Sequence, residues 1–172
     1  YLSMNFTGNA PYQGNLALIN SANSASTCAV AINSNTFGNV VHLNYAGTGT
    51  LQFISQTADA DSLSICNNVW RHINLNHAAA TYMIQNMSSS GSFLKVCGNS
   101  VYKYFRQQSG NTWFYYANST TAATAVHTYR NNTIEDIRYL SGATGNITCF
   151  QITDGGTAPY PQKIISNNSI RD

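Results

Sequence analysis

One short pattern returns five times along the chain and limits what it can fold into. An apolar residue is followed after two residues by asparagine, after one more by a second apolar residue, and after two more by a third. The copies are Ile32, Asn35, Phe37 and Val40; Ile65, Asn68, Trp70 and Ile73; Val96, Asn99, Val101 and Tyr104; Tyr129, Asn132, Ile134 and Ile137; and Ile165, Asn168 and Ile170. Their asparagines lie 33, 31, 33 and 36 residues apart. Self-similarity at a period of about 20 to 50 residues marks a solenoid or a related array, in which each repeat buries its apolar face only against its neighbours.

Within a repeat the spacing is that of strands. Cys28, Val30 and Ile32 alternate with Ala29 and Ala31, the period of two that puts successive side chains on opposite faces. Val40, Val41 and Leu43 make a second extended run, and Leu51, Phe53 and Ser55 a third. Helical spacing is not sustained; the one helix-like stretch, Ala78 to Met87, contains Thr81, Tyr82 and Ile84, which suit a strand as well. Pro159 and Pro161 sit in a turn-rich insertion that lengthens the last spacing. Three short strands per repeat without crossover helices predict an all-β, right-handed parallel β-helix of about 31–36 residues per coil and roughly five coils. Residues 1–27 read as an irregular first coil and 28–172 as regular repeats of a single β-helix domain, or of a piece of a longer one.

An asparagine at the same corner of every coil can stack into a ladder while satisfying backbone groups of the turn. Asn35, Asn68, Asn99, Asn132 and Asn168 are the expected rungs.

Composition narrows the partners. Only 8% of residues are charged and the net charge is +2, with Lys and Arg scattered from Arg71 to Arg171, so the basic patch that nucleic acid requires is missing. No apolar run approaches the ~20 residues of a membrane-spanning helix, which argues against membrane insertion. Cys28, Cys66, Cys97 and Cys149 lack metal-site spacing, and neither a metal nor a cofactor is expected. Cys66 and Cys97 share one repeat position, two before the asparagine. Parallel strands about 4.8 Å apart would bring them within disulfide range, or would leave two unpaired thiols in one column. Sequons at Asn5, Asn86, Asn118, Asn131, Asn146 and Asn167 fit a glycosylated protein that is extracellular, either secreted or on the cell surface.

Down the columns, Gly38, Arg71, Tyr102, Glu135 and Arg171 line up beside Asn39, His72, Lys103, Asp136 and Asp172. Lys103 with Asp136 and Glu135 with Arg171 are the expected register-setting pairs, each contributing roughly 0.2–1 kcal/mol. The remaining close carboxylates, Asp59 and Asp61, read as turn residues; a calcium site needs about six to eight oxygens. His42, His72, His77 and His127 share no spacing, and no serine-nucleophile motif is present. Trp113, Phe114, Tyr115 and Tyr116 are consecutive, so alternation sends two of them outward. Trp113 and Tyr115, with Tyr102 on a nearby coil, make a candidate shelf for sugar rings; packing under a loop or against a subunit is the competing reading.

The runs Tyr129 to Ile137 (YRNNTIEDI), Ile165 to Asp172 (ISNNSIRD) and Ile65 to Trp70 (ICNNVW) resemble the right-handed parallel β-helix proteins of the pectate-lyase-like superfamily, closest in character to bacterial secreted and surface β-helix proteins. The resemblance implies the fold over roughly residues 28–172. Its lyases and hydrolases carry clustered Asp with Arg or Lys on one face; those positions have no match here, so no catalytic residue is carried over. The expected function is a non-catalytic structural or adhesive extracellular segment, part of a fibre or large surface protein and in contact with glycans. Its expected partners are other copies, or the continuation of the same β-helix, end to end. The alternative is a carbohydrate-active enzyme of the same fold.

Overall fold

The computed structural model describes residues 15–22, 27–38, 41–44, 49–76, 78–88, 90–120, 124–140, 142–155 and 161–171. Asn5, Asn39, Val40, His77, Pro159, Asp172 and the side chain of His42, on which expectations above also fall, lie outside the described residues.

Among the described residues sixteen strands, β1 to β16 in chain order, form three parallel sheets. The first holds β1 (Leu16–Ser21), β5 (Leu51–Gln56), β8 (Thr81–Asn86), β11 (Thr112–Thr120) and β14 (Ile147–Gly155). The second holds β2 (Ala29–Ala31), β6 (Ala60–Cys66), β9 (Ser90–Cys97), β12 (Val126–Arg130) and β15 (Gln162–Ser166). The third holds β3 (Thr36–Phe37), β4 (Val41–Asn44), β7 (Val69–Asn76), β10 (Ser100–Arg106), β13 (Thr133–Tyr139) and β16 (Ser169–Arg171). Along the chain the sheets are visited in turn, so each strand pairs with its equivalent one coil away. The described residues contain no helix, and the product is a parallel β-solenoid of about 4 turns rather than roughly five. The difference arises because five stacked strands enclose only four coil-to-coil steps.

Two sequence readings change in detail. The ambiguous stretch around Tyr82 is strand β8, hydrogen-bonded on both edges by β5 and β11; the neighbouring edges supply the ladder bonds that a lone helix would have to make internally. Within residues 1–27, read as irregular, Leu16–Ser21 is a regular strand paired with β5.

The repeat's apolar positions fill the interior. Ile65, Val96 and Tyr129 stack in one fully buried column, Trp70, Val101 and Ile134 in another, and Ile73 lies over Tyr104 in a third. Each such side chain contributes about 1.5–3 kcal/mol by leaving water. Aromatic contacts knit the columns together: Phe37 stacks on Trp70 at 5.2 Å, Trp70 meets Phe114 edge-on at 6.2 Å, and Tyr115 meets Tyr129 at 5.2 Å.

Corners are built from left-handed residues, again in columns. Ser34, Asn67, Gly98, Asn131 and Asn167 each precede a ladder asparagine and have φ between 53° and 62°. Asn and Gly adopt this region at low cost, and a Cβ at Gly98 would come within 2.3 Å of Asn67 Oδ1. His72, Lys103 and Asp136 form a second left-handed column, at φ 53–56°, where the third sheet interrupts its pairing. The first sheet interrupts its pairing at Leu18, Phe53, Met83 and Phe114. There two consecutive side chains point inward, as in Phe53 with Ile54, Met83 with Ile84 and Phe114 with Tyr115.

Candidate functional site

The best-defined polar constellation is the corner between the second and third sheets. Asn68 Oδ1 accepts from both the main-chain N–H and Nδ2 of Asn35, each at 3.0 Å. Asn99 Oδ1 accepts the same pair from Asn68 at 2.9 and 3.0 Å, Asn132 Oδ1 from Asn99 at 3.1 and 3.0 Å, and Asn168 Oδ1 from Asn132 at 3.0 and 2.8 Å. The second Nδ2 proton goes to a carbonyl one coil back: Asn68 to Ile32, Asn99 to Ile65, Asn132 to Val96 and Asn168 to Tyr129, at 2.7–3.0 Å. Asn68, Asn99 and Asn132 are fully buried. The rung-to-rung bonds all run from one asparagine to the next in chain order, so the ladder has a direction.

Beside it, Cys66 and Cys97 are joined in a disulfide, with Cα atoms 4.6 Å apart, while Cys28 and Cys149 are free. The bridge closes a separation of 31 residues, for which loop-closure entropy gives about 3–4 kcal/mol. Reduction, or Cys97→Ala, is therefore expected to lower the stability measured by urea denaturation by about that amount. Reductant should add nothing to the effect in Cys97→Ala.

The aromatic residues expected to form one shelf are not brought together. Tyr115 faces inward and is fully buried against Tyr129, its hydroxyl accepting from Asn86 Nδ2 at 3.3 Å. The break in alternation at Phe114 turns Tyr115 into the core and leaves Trp113 and Tyr116 outside. Tyr102 is 39% exposed but belongs to the third sheet, where the Lys103 ammonium lies 5.1 Å from its ring centroid and the His72 ring 6.1 Å away. Trp113 and Tyr102 therefore do not share one surface.

The charge pairs are also rearranged. Asp136 forms an ion pair with Arg138 on its own strand at 2.6 Å. Glu135 is the register neighbour of Arg171, yet Arg171 Nε donates to Ser169 Oγ at 2.9 Å. At the left-handed positions the pleat is interrupted, so Asp136 reaches along its strand rather than across to Lys103. Asp61 accepts from Ser92 Oγ at 2.6 Å. Among the described residues no group of three His, Cys, Asp or Glu could hold a metal ion. His127 is buried, its Nδ1 3.5 Å from the Tyr129 hydroxyl.

Of the sequons, Asn118, Asn131, Asn146 and Asn167 are exposed. Asn86 is not a glycan site in this fold: its side chain is fully buried, with Oδ1 accepting from Ser88 N–H at 3.1 Å and Ser88 Oγ at 2.6 Å.

Arg106 escaped the sequence reading. It projects inward between Leu75 and Tyr139 of the neighbouring coils and is fully buried. Its guanidinium donates to the carbonyls of Ala79, Gln108 and Asn111 and to the hydroxyls of Thr81 and Thr112. Alternation from inward Tyr104 through Phe105 would have placed it inside.

No family model, curated protein or solved structure matches this chain.

Proposed function

We propose that the chain is a non-catalytic structural segment of an extracellular protein, built for end-to-end extension of its coils. The observation that carries this reading is the corner ladder, in which each asparagine from Asn35 to Asn132 bonds the next through its main-chain N–H and its Nδ2, so that the coils are joined one to the next along the solenoid. Ile165 and Ile170 are 59% and 66% exposed in columns where Ile65, Val96, Tyr129, Trp70, Val101 and Ile134 are at most 3% exposed, and solenoids bury such positions by stacking coil on coil. The Cys66–Cys97 bond supports an oxidising setting. The corner ladder and the three parallel sheets support placing the chain with the pectate-lyase-like β-helix proteins that its repeats resemble.

Electron microscopy of the purified chain tests the reading. Linear particles are expected, dispersed by Ile165→Asp combined with Ile170→Asp, which makes the exposed members of the two columns polar and leaves the buried members unchanged. Dispersed monomers of the unaltered chain at high concentration would overturn end-to-end extension. Polysaccharide cleavage lost on Glu135→Gln or Asp136→Asn would overturn the non-catalytic assignment.

A further inference from the structure

The two sulfurs of the Cys66–Cys97 bond sit in unlike surroundings. Cys66 is only 6% exposed, whereas Cys97, its register neighbour on β9, is half-buried. Asn33, one coil back, closes over Cys66: its Oδ1 accepts from the Cys66 main-chain N–H at 2.7 Å and from Ser64 Oγ at 3.1 Å. The Ser64 hydroxyl also lies 3.5 Å from Cys66 Sγ. It has a single proton to donate. A disulfide sulfur is a weak acceptor, so that proton rests on Asn33; a Cys66 thiolate, being charged, would draw it across.

The Cys97 side is built from cations. Arg130 is its register neighbour on β12, and Lys95 stands two residues before it on the same outward face; both are exposed. Among the described residues of β2, β6, β9, β12 and β15, Asp61 is the one carboxylate, and it lies towards the opposite end of β6, bonded to Ser92 Oγ. Positive neighbours favour a thiolate and draw anions to a site. The two free cysteines are elsewhere: the Cys28 carbonyl accepts from Asp61 N–H at the start of β6, and Cys149 is on β14 in the first sheet. A thiol that opens the bond therefore comes from outside the chain.

We propose that Cys97 is a site of thiol–disulfide exchange with a small anionic thiol, and that Cys66 is the leaving and resolving sulfur. The incoming thiolate bonds to Cys97 Sγ as the Cys66–Cys97 bond breaks, and the bonding pair leaves on Cys66 Sγ. The products are a mixed disulfide at Cys97 and a Cys66 thiolate that accepts from Ser64 Oγ; the incoming sulfur is oxidised to the disulfide level and Cys66 is reduced. Access selects Cys97 for attack, and the Ser64 hydroxyl selects Cys66 to leave. The pairing of β6 with β9 and the bonds from Asn68 to Asn99 hold both residues in register. The Cys66 thiolate can then attack the mixed disulfide, expel the small thiol and restore the bond. A second equivalent of thiol instead carries off the first as a symmetrical disulfide and leaves both cysteines reduced. The bond is thus a clamp between two coils whose closure follows the thiol content of the surroundings.

Reduced glutathione, an anionic thiol, and cysteamine, a cationic one, test this on the folded, oxidised chain without oxygen. Brief exposure to glutathione, an acid quench, and peptic digestion with mass spectrometry are expected to find the mixed disulfide on Cys97 and none on Cys66. Lys95→Glu combined with Arg130→Glu should slow opening by glutathione about tenfold and speed opening by cysteamine, an inversion that altered stability alone would not produce. If circular dichroism shows that double variant unfolded, Arg130→Gln serves in its place, with a smaller shift of the same sign. Ser64→Ala should slow both thiols alike. Glutathione found on Cys66, a folded charge variant that changes both rates equally, or opening no faster than global unfolding in urea would overturn the proposal.

Discussion

Replacing Asn99 by alanine is expected to lower the stability of the protein by roughly 3–5 kcal/mol, near the upper end for single substitutions. Asn99 Oδ1 accepts two bonds from Asn68, and its Nδ2 donates to Ile65 O and Asn132 Oδ1. Alanine abolishes all four. It leaves the Asn68 N–H and the Ile65 carbonyl without these partners in a region closed to water, and each stranded group costs about 1–3 kcal/mol. Aspartate keeps the acceptor but loses both donors and puts a carboxylate in the ladder, so Asn99→Asp should be no better at neutral pH. The contrast with the first rung is the sharper check. Asn35 is only partly buried, accepts no rung bond from a described residue, and donates two to Asn68; Asn35→Ala should cost about 1 kcal/mol. Chemical denaturation of the two variants side by side measures the difference, and equal costs would show that the ladder is not cooperative with burial.

Arg106→Met is expected to cost a similar amount, about 3–5 kcal/mol, for a different reason. A guanidinium in the interior is expensive to desolvate, and here its planar fork is met by three carbonyls and two threonine hydroxyls. Methionine fills much of the volume but leaves those acceptors facing an apolar chain. The carbonyls of Ala79, Gln108 and Asn111 belong to the connections that flank β8 and β11, so the loss should begin there. Hydrogen exchange should show early deprotection of residues 79–81 and 107–112 while the Asn99 corner stays protected. Arg106→Lys keeps the charge but not the fork, and is expected to recover only part of the stability. Full recovery by lysine would mean that charge rather than geometry holds the connections in place.

The architecture was legible because one constraint recurs. An asparagine held by the same four bonds at the Asn68, Asn99 and Asn132 corners cannot drift in sequence, and the apolar residues around it share its spacing. Columns built by strict alternation were legible for the same reason. Alternation failed where the backbone leaves the pleat. At Phe114 the first sheet turns two neighbours inward, so Tyr115 reads as outward and is buried. At Lys103 and Asp136 left-handed backbone separates two side chains that sequence places side by side. Arg106 was missed for the opposite reason: alternation held, but a charge in an inward position reads as surface until its partners are known, and those lie in connections whose course the repeat does not dictate. The Cys66–Cys97 pair was readable as a column neighbour, though not as a bond, since spacing alone serves thiols and a disulfide equally well.

The uniformity of the ladder has one more consequence, for how the chain finds its register. Every corner offers the same amide, so a folding chain that looped out one coil could still lay asparagine on asparagine and fill much the same columns. What forbids this frame error is whatever differs between coils: the unequal spacings of 31, 33 and 36 residues, the cysteine that meets another cysteine on only one neighbouring coil, and the arginine that fits inside only where Thr81 and Thr112 face it. The repeat specifies that coils stack, and the exceptions to it specify which coil lies on which.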